Sequence, residues 1–163
     1  MRRTSSTRGA TPRERASRRI YAESPAKLRA ATRCPDCGAT YRRGRWTWQK
    51  AEDGAPERRC PACEAVATGS PAGVLHVGGP FAAEHRAELV ALVRHVEQRE
   101  RAEHPLKRIV SITDDGDGFA VTTTAAKLAE SMGRALEKAY AGKLARPRTT
   151  AERGNLKRVS WMR

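Results

Sequence analysis

Apolar residues are scarce over residues 1–27 and recur at neither helical nor strand spacing, so this stretch is read as disordered. The pattern becomes helical over residues 82–103. There Leu89, Leu92, Val93 and Val96 return at three- and four-residue spacing, and Arg94, Glu97, Arg99, Glu100 and Arg101 supply a solvated side. His104-Pro105 ends the helix, because the residue before a proline avoids the helical region. Residues 106–113 read as a strand, Asp114-Asp115-Gly116-Asp117-Gly118 as a turn, and residues 119–123 as a second strand rich in β-branched side chains. Thr124 is placed to cap a helix over 125–141. In that helix Leu128, Met132, Leu136 and Tyr140 form a ridge flanked by Ala129, Ala135 and Ala139, and Gly142 is its stop. After a basic loop, residues 156–162 read as a last strand with Val159 and Trp161 on one face.

Upstream the pattern is weaker. Residues 71–80 are turn-rich around Val74-Leu75 and Val77, and read as a short strand or a linker. Tyr41-Arg42-Arg43-Gly44-Arg45-Trp46-Thr47-Trp48 suggests a ribbon hairpin, with Arg45 and Thr47 alternating against Trp46 and Trp48. The predicted organisation is a disordered basic arm over 1–27, a cysteine module over 28–70 and an α+β domain over 71–163. That domain runs helix, β-hairpin, helix, strand, with the helices on one face of the sheet.

The cysteine module carries the sharpest chemistry. Cys34-Pro35-Asp36-Cys37 and Cys60-Pro61-Ala62-Cys63 give the spacing C-x2-C-x22-C-x2-C. Each Cys-x-x-Cys turn presents two thiolates to one side of a tight loop, and two such knuckles complete a tetrahedron. The expectation is one structural zinc ion held by Cys34, Cys37, Cys60 and Cys63, in a small four-cysteine zinc ribbon. Two redox dithiols are the alternative for such pairs, and iron fits the same four thiolates.

Composition then adds a partner. The 163 residues carry a net charge of +14, with a pI near 10.6. Residues 1–33 hold ten Lys/Arg against two Glu, and residues 143–163 hold seven Lys/Arg against one Glu. Residues 71–142 balance nine basic against ten acidic side chains. This is a near-neutral body with cationic ends, the charge layout of a protein that meets phosphates. The planar guanidinium fork of arginine suits phosphate oxygens, and a tryptophan can stack on an unpaired base. The candidate nucleic-acid-binding residues are Arg42, Arg43, Arg45, Trp46, Trp48, Arg58 and Arg59 in the module, and Lys157 and Arg158 in the last strand. For Trp46 and Trp48 the alternative is packing inside the ribbon.

Other classes find little support. No stretch approaches the ~18 apolar residues of a membrane span, and no apolar h-region follows Met1-Arg2-Arg3. A reducing, cytoplasmic setting and a monomer are expected. His76, His85, His95 and His104 lack ligand spacing. Asp114, Asp115 and Asp117 lack the glutamate of a calcium loop, and Thr122-Thr123-Thr124 has no base near it in sequence. No enzyme is expected.

These residues also carry a resemblance. Cys-Pro-Asp-Cys-Gly, Arg-Trp-Thr-Trp, Cys-Pro-Ala-Cys, Ala-Glu-His-Pro-Leu-Lys-Arg-Ile (102–109) and Val-Thr-Thr-Thr (121–124) resemble a family of small bacterial zinc-ribbon proteins, over roughly residues 25–163. That family brings no assigned activity. A more distant similarity is to the N-terminal part of the archaeal and eukaryotic large-ribosomal-subunit export adaptor family. It rests on the cysteine knuckles, on Gly118-Phe119-Ala120-Val121, on a helix starting near Ala126 and on the final strand. The adaptor family has more zinc knuckles and further domains, so the resemblance implies only association with ribosomal RNA or the ribosome. The functional expectation is a zinc-ribbon RNA-binding protein, ribosome-associated. The alternative is a protein-interaction or transcription/regulatory adaptor that uses the ribbon and binds a protein partner or DNA.

Overall fold

The structure is a computed structural model that describes residues 31–146 and 156–163. The arm read over residues 1–27 lies outside the described residues. The chain is a mixed α+β fold. The described residues begin with three short antiparallel strands, β1 (Thr32–Arg33), β2 (Thr40–Arg42) and β3 (Arg45–Thr47), followed by helix α1 (Pro61–Thr68). Then come β4 (Gly73–Gly78), α2 (Pro80–Glu84), α3 (Arg86–Glu103), β5 (Ile109–Asp115), β6 (Gly118–Thr123), α4 (Ala126–Tyr140), β7 (Lys143–Ala145) and β8 (Lys157–Met162). The five later strands form one sheet in the order β5-β6-β4-β8-β7.

The segment read as a strand or linker is the centre of that sheet. β4 pairs antiparallel with β6 and parallel with β8, with Leu75 opposite both Val121 and Val159. One face of the sheet carries Leu75, Val77, Phe119, Val121, Val159 and Trp161. Against it pack Leu89 and Val93 of α3 and Leu128, Met132 and Leu136 of α4. The predicted ridge of α4 is therefore buried, each such side chain contributing about 1.5–3 kcal/mol relative to exposure. Tyr140, at the end of the ridge, is half-buried at the edge of the core. Close packing at the centre demands glycine: a Cβ on Gly118 would sit 1.9 Å from the Val77 carbonyl oxygen.

Three expectations shift. The helix read over 82–103 is two helices, because the chain turns at His85 (φ −108°, ψ 22°), whose ring stacks on Phe81 at 4.1 Å. The strand read from 106 starts at Ile109, because Leu106 packs against the cysteine cluster and Arg108 reaches Cys63 Sγ. Thr124 is drawn into that docking: its hydroxyl donates to the Leu106 carbonyl at 2.6 Å and accepts from the Arg108 amide at 2.8 Å. Ala125 takes the cap position of α4, without a side-chain cap. Among the described residues, three elements lie outside the sequence reading: β1, α1 and the edge strand β7, whose Leu144 pairs with Trp161.

No helix among the described residues is long and apolar enough to cross a membrane.

Candidate metal centre and the basic hairpin beside it

The four cysteines converge. Their sulfur atoms all lie within 4.8 Å of one another, with Cys34 Sγ 3.7 Å from Cys63 Sγ and Cys37 Sγ 3.8 Å from Cys60 Sγ. A tetrahedral tetrathiolate with metal–sulfur bonds of about 2.3 Å has sulfur–sulfur edges of about 3.8 Å, so the cluster fits one ion of that size. All four are free thiols. Cys34, Cys60 and Cys63 are buried and Cys37 is half-buried.

Local backbone chemistry builds each knuckle. In the first, the Gly38 amide donates to the Cys34 carbonyl at 2.9 Å, and the Cys34 amide donates to the Ala39 carbonyl at 2.8 Å, closing the loop. The second knuckle is the start of α1. Cys60 is the N-cap, its sulfur accepting the Cys63 amide at 3.4 Å, and Pro61 occupies the first turn. The unpaired amides and positive end of a helix favour thiolate sulfur there. The Cys60 amide also donates to Cys34 Sγ at 3.2 Å, tying the knuckles together.

The thiols are not equivalent. Burial raises the Cys34 thiol, but the amides of Cys60, Cys37 and Asp36 outweigh it and bring the group down to about 7. Burial dominates at Cys63, pushed up to about 11, and at Cys60, raised further still.

Two guanidinium groups flank the cluster. Arg59 Nε donates to the Asp36 carboxylate at 2.5 Å, and that carboxylate holds the guanidinium above its usual value. Arg108 reaches in from the segment before β5. Its Nη1 donates to Cys63 Sγ at 3.3 Å. Burial opposes its charge, yet the Cys37, Cys63 and Cys60 sulfurs outweigh burial and raise it. Arg59, a candidate phosphate contact by sequence, is engaged with the first knuckle. Arg108 was not singled out, although it stands in the Leu106-Lys107-Arg108-Ile109 run.

The hairpin rests on the cluster. Trp46 is 8% exposed and packs edge-on against Tyr41, in the same core as Cys34, Cys60 and Cys63. This corrects the candidate role of Trp46: its ring has no open face for a base, because the small module has little else to bury. Trp48 lies just past β3, is 38% exposed, and donates from Nε1 to the Arg101 carbonyl. The turn between β2 and β3 is Arg43-Gly44, with φ of 49° and 82°. Positive φ at both central residues is the type I′ geometry that suits the twist of a two-residue hairpin.

This turn brings Arg42, Arg43 and Arg45 to one place. With Thr47, Gln49 and Glu52 they line a concavity of about 380 Å³. Arg42 is half-buried; its Nη2 donates to the Lys50 carbonyl at 3.3 Å, and its Nε is buried without a hydrogen-bond partner. Arg43 and Arg45 are exposed. Arg58 sits apart from that concavity, its amide bonded to the Arg33 carbonyl. Lys157 and Arg158 lie on β8, in the other sheet, exposed and paired with Gly73 and Val74 of β4.

No family model, curated protein or solved structure matches the chain.

Proposed function

We propose that the chain is a zinc-dependent RNA-binding protein that associates with the ribosome. The observation that carries this reading is the convergence of Arg42, Arg43 and Arg45 on one concavity at the tip of a hairpin anchored by the four-cysteine cluster. Zinc is the ion this reading assigns, since four thiolates at tetrahedral spacing in a reducing compartment suit it. Its role is structural: four sulfurs close the shell and leave no position for a reacting water, which also speaks for binding over catalysis. The ion holds β2 and β3 against α1, so the arginines are presented on a fixed frame. Phosphates then meet positive charge at the hairpin first, with the net charge of +14 drawing nucleic acid in from a distance.

The test is sedimentation of tagged protein through a sucrose gradient at low and high salt, with sequencing of bound nucleic acid. Co-migration with a ribosomal subunit, lost at high salt, is expected. Arg42→Glu with Arg43→Glu should abolish co-migration while metal content stays at one ion per chain. Unchanged co-migration of that variant refutes the hairpin assignment, and protein free of nucleic acid at the top of the gradient refutes the RNA reading.

A further inference from the structure

Arg108 is held more firmly than a surface arginine needs to be. Its amide donates to Thr124 Oγ1 at 2.8 Å and its carbonyl accepts the Thr124 amide at 2.9 Å. Its Nε folds back onto the Pro105 carbonyl at 3.1 Å. On either side the chain is fixed again: Leu106 packs against the cysteine cluster, Lys107 pairs with Glu100, and the Ile109 amide donates to Glu97 Oε1 at 2.7 Å. This clamp aims the guanidinium at sulfur. Nη1 meets Cys63 Sγ at 3.3 Å, while Nη2 is buried without a hydrogen-bond partner. The contrast with Arg59 is informative, because Arg59 is matched by the Asp36 carboxylate. Among the described residues, no ion pair to a carboxylate involves Arg108, so its charge faces the thiolates.

A divalent ion with four thiolates carries a net charge of about −2, which is costly to bury unless cations or amide donors compensate it. Outer-shell donors of this kind orient metal ligands and tune how tightly they hold. We infer that Arg108 is a positioning residue of the metal centre: it donates to Cys63 sulfur, offsets part of the tetrathiolate charge and slows loss of the ion. The inference rests on the zinc reading above. It also gives the segment 105–109 a purpose, since that segment ties the metal centre to β5 and β6 through Thr124. The negative sulfur and the positive guanidinium would be satisfied together only when the cysteine module is docked on the sheet.

The experiment compares the full chain with Arg108→Gln, Arg108→Lys and Leu106→Ala, each loaded with zinc and, separately, with cobalt(II). Zinc transfer to a chromogenic chelator is timed, and the sulfur-to-cobalt charge-transfer band is recorded. Arg108→Gln should lose zinc about tenfold faster, within the range seen for outer-shell changes, and should shift the cobalt band. Arg108→Lys, which keeps the charge without the fork, should recover most of the retention. Leu106→Ala removes packing alone and should leave the band in place. A rate for Arg108→Gln within about twofold of the unaltered chain, well short of the outer-shell range, overturns the inference. So does an accelerated rate matched by Leu106→Ala with no band shift in either variant. If the unaltered chain shows no cobalt–thiolate band at all, the zinc reading itself fails and takes this inference with it.

Discussion

The indole of Trp48 donates a 2.6 Å hydrogen bond to the carbonyl of Arg101, and the Arg101 guanidinium lies 5.7 Å from the centre of the same ring. One residue near the end of α3 thus holds both the edge and the face of a side chain at the foot of the β2–β3 hairpin. Together with Leu106 and Arg108, this contact fastens the cysteine module to the helical layer. Trp48→Phe keeps an aromatic ring and deletes the N–H donor. The loss of a hydrogen bond of this kind is worth about 1 kcal/mol, or roughly 2–4 °C in Tm for a domain of this size. Calorimetry of Trp48→Phe checks it, and an unchanged Tm would show that the contact does not anchor the hairpin.

Arg43 offers a way to separate backbone strain from binding. Its φ of 49° is left-handed, a region that costs a non-glycine residue about 1–2 kcal/mol. Arg43→Gly should therefore leave stability equal or slightly raised, while one guanidinium leaves the rim of the concavity. If Arg43 contacts a phosphate, the slope of log affinity against log salt falls by about 1. Filter binding to ribosomal RNA over a series of salt concentrations gives the slope. A slope equal to that of the unaltered chain removes Arg43 from the interface.

Metal uptake should be strongly pH-dependent. Cys63, pushed up to about 11, and Cys60, raised beyond it, both enter the reaction protonated at neutral pH. Both must ionise to ligate, so binding releases at least these two protons, and affinity rises by at least about a hundredfold per pH unit around neutrality. The sign follows from the raised thiols: acid favours the metal-free chain, alkali the loaded one. Titration calorimetry in buffers of different ionisation enthalpy counts the protons. Release of fewer than two would show that a burial-raised thiol is not a ligand.

Much of this is legible in the sequence. The spacing of Cys34, Cys37, Cys60 and Cys63 picked out the four sulfurs that cluster, since each Cys-x-x-Cys turn presents both its sulfurs to one side of a tight loop. The ridge Leu128, Met132 and Leu136 was equally plain, because α4 is amphipathic with one buried face. Other features were masked by local chemistry. β4 has glycine at both ends and stands among prolines, which reads as a linker; those glycines mark close approach of neighbouring chain at the centre of a sheet. α1 is eight residues long and poor in large apolar side chains. Its signals were present all the same, in a cysteine cap, a proline in the first turn and Gly69 beyond the last. Trp46 and Trp48 looked equivalent by alternation, but β3 ends at Thr47, so only Trp46 turns inward. Thr124 had the right residue type for a cap and is used elsewhere, a competition that only tertiary contacts decide.

The parallel pairing of β4 with β8 sets an order of assembly. β4 finds α3, β5 and β6 in the stretch of chain that directly follows it, as the register with Phe119 and Val121 requires. Its other edge stays unsatisfied until Val159 and Trp161 arrive. Contacts so distant along the chain close late, after the local ones have formed. The centre of the sheet therefore depends for its second edge on a strand about eighty residues further along. Until β8 pairs with it, that edge of β4 is open to pairing with another strand.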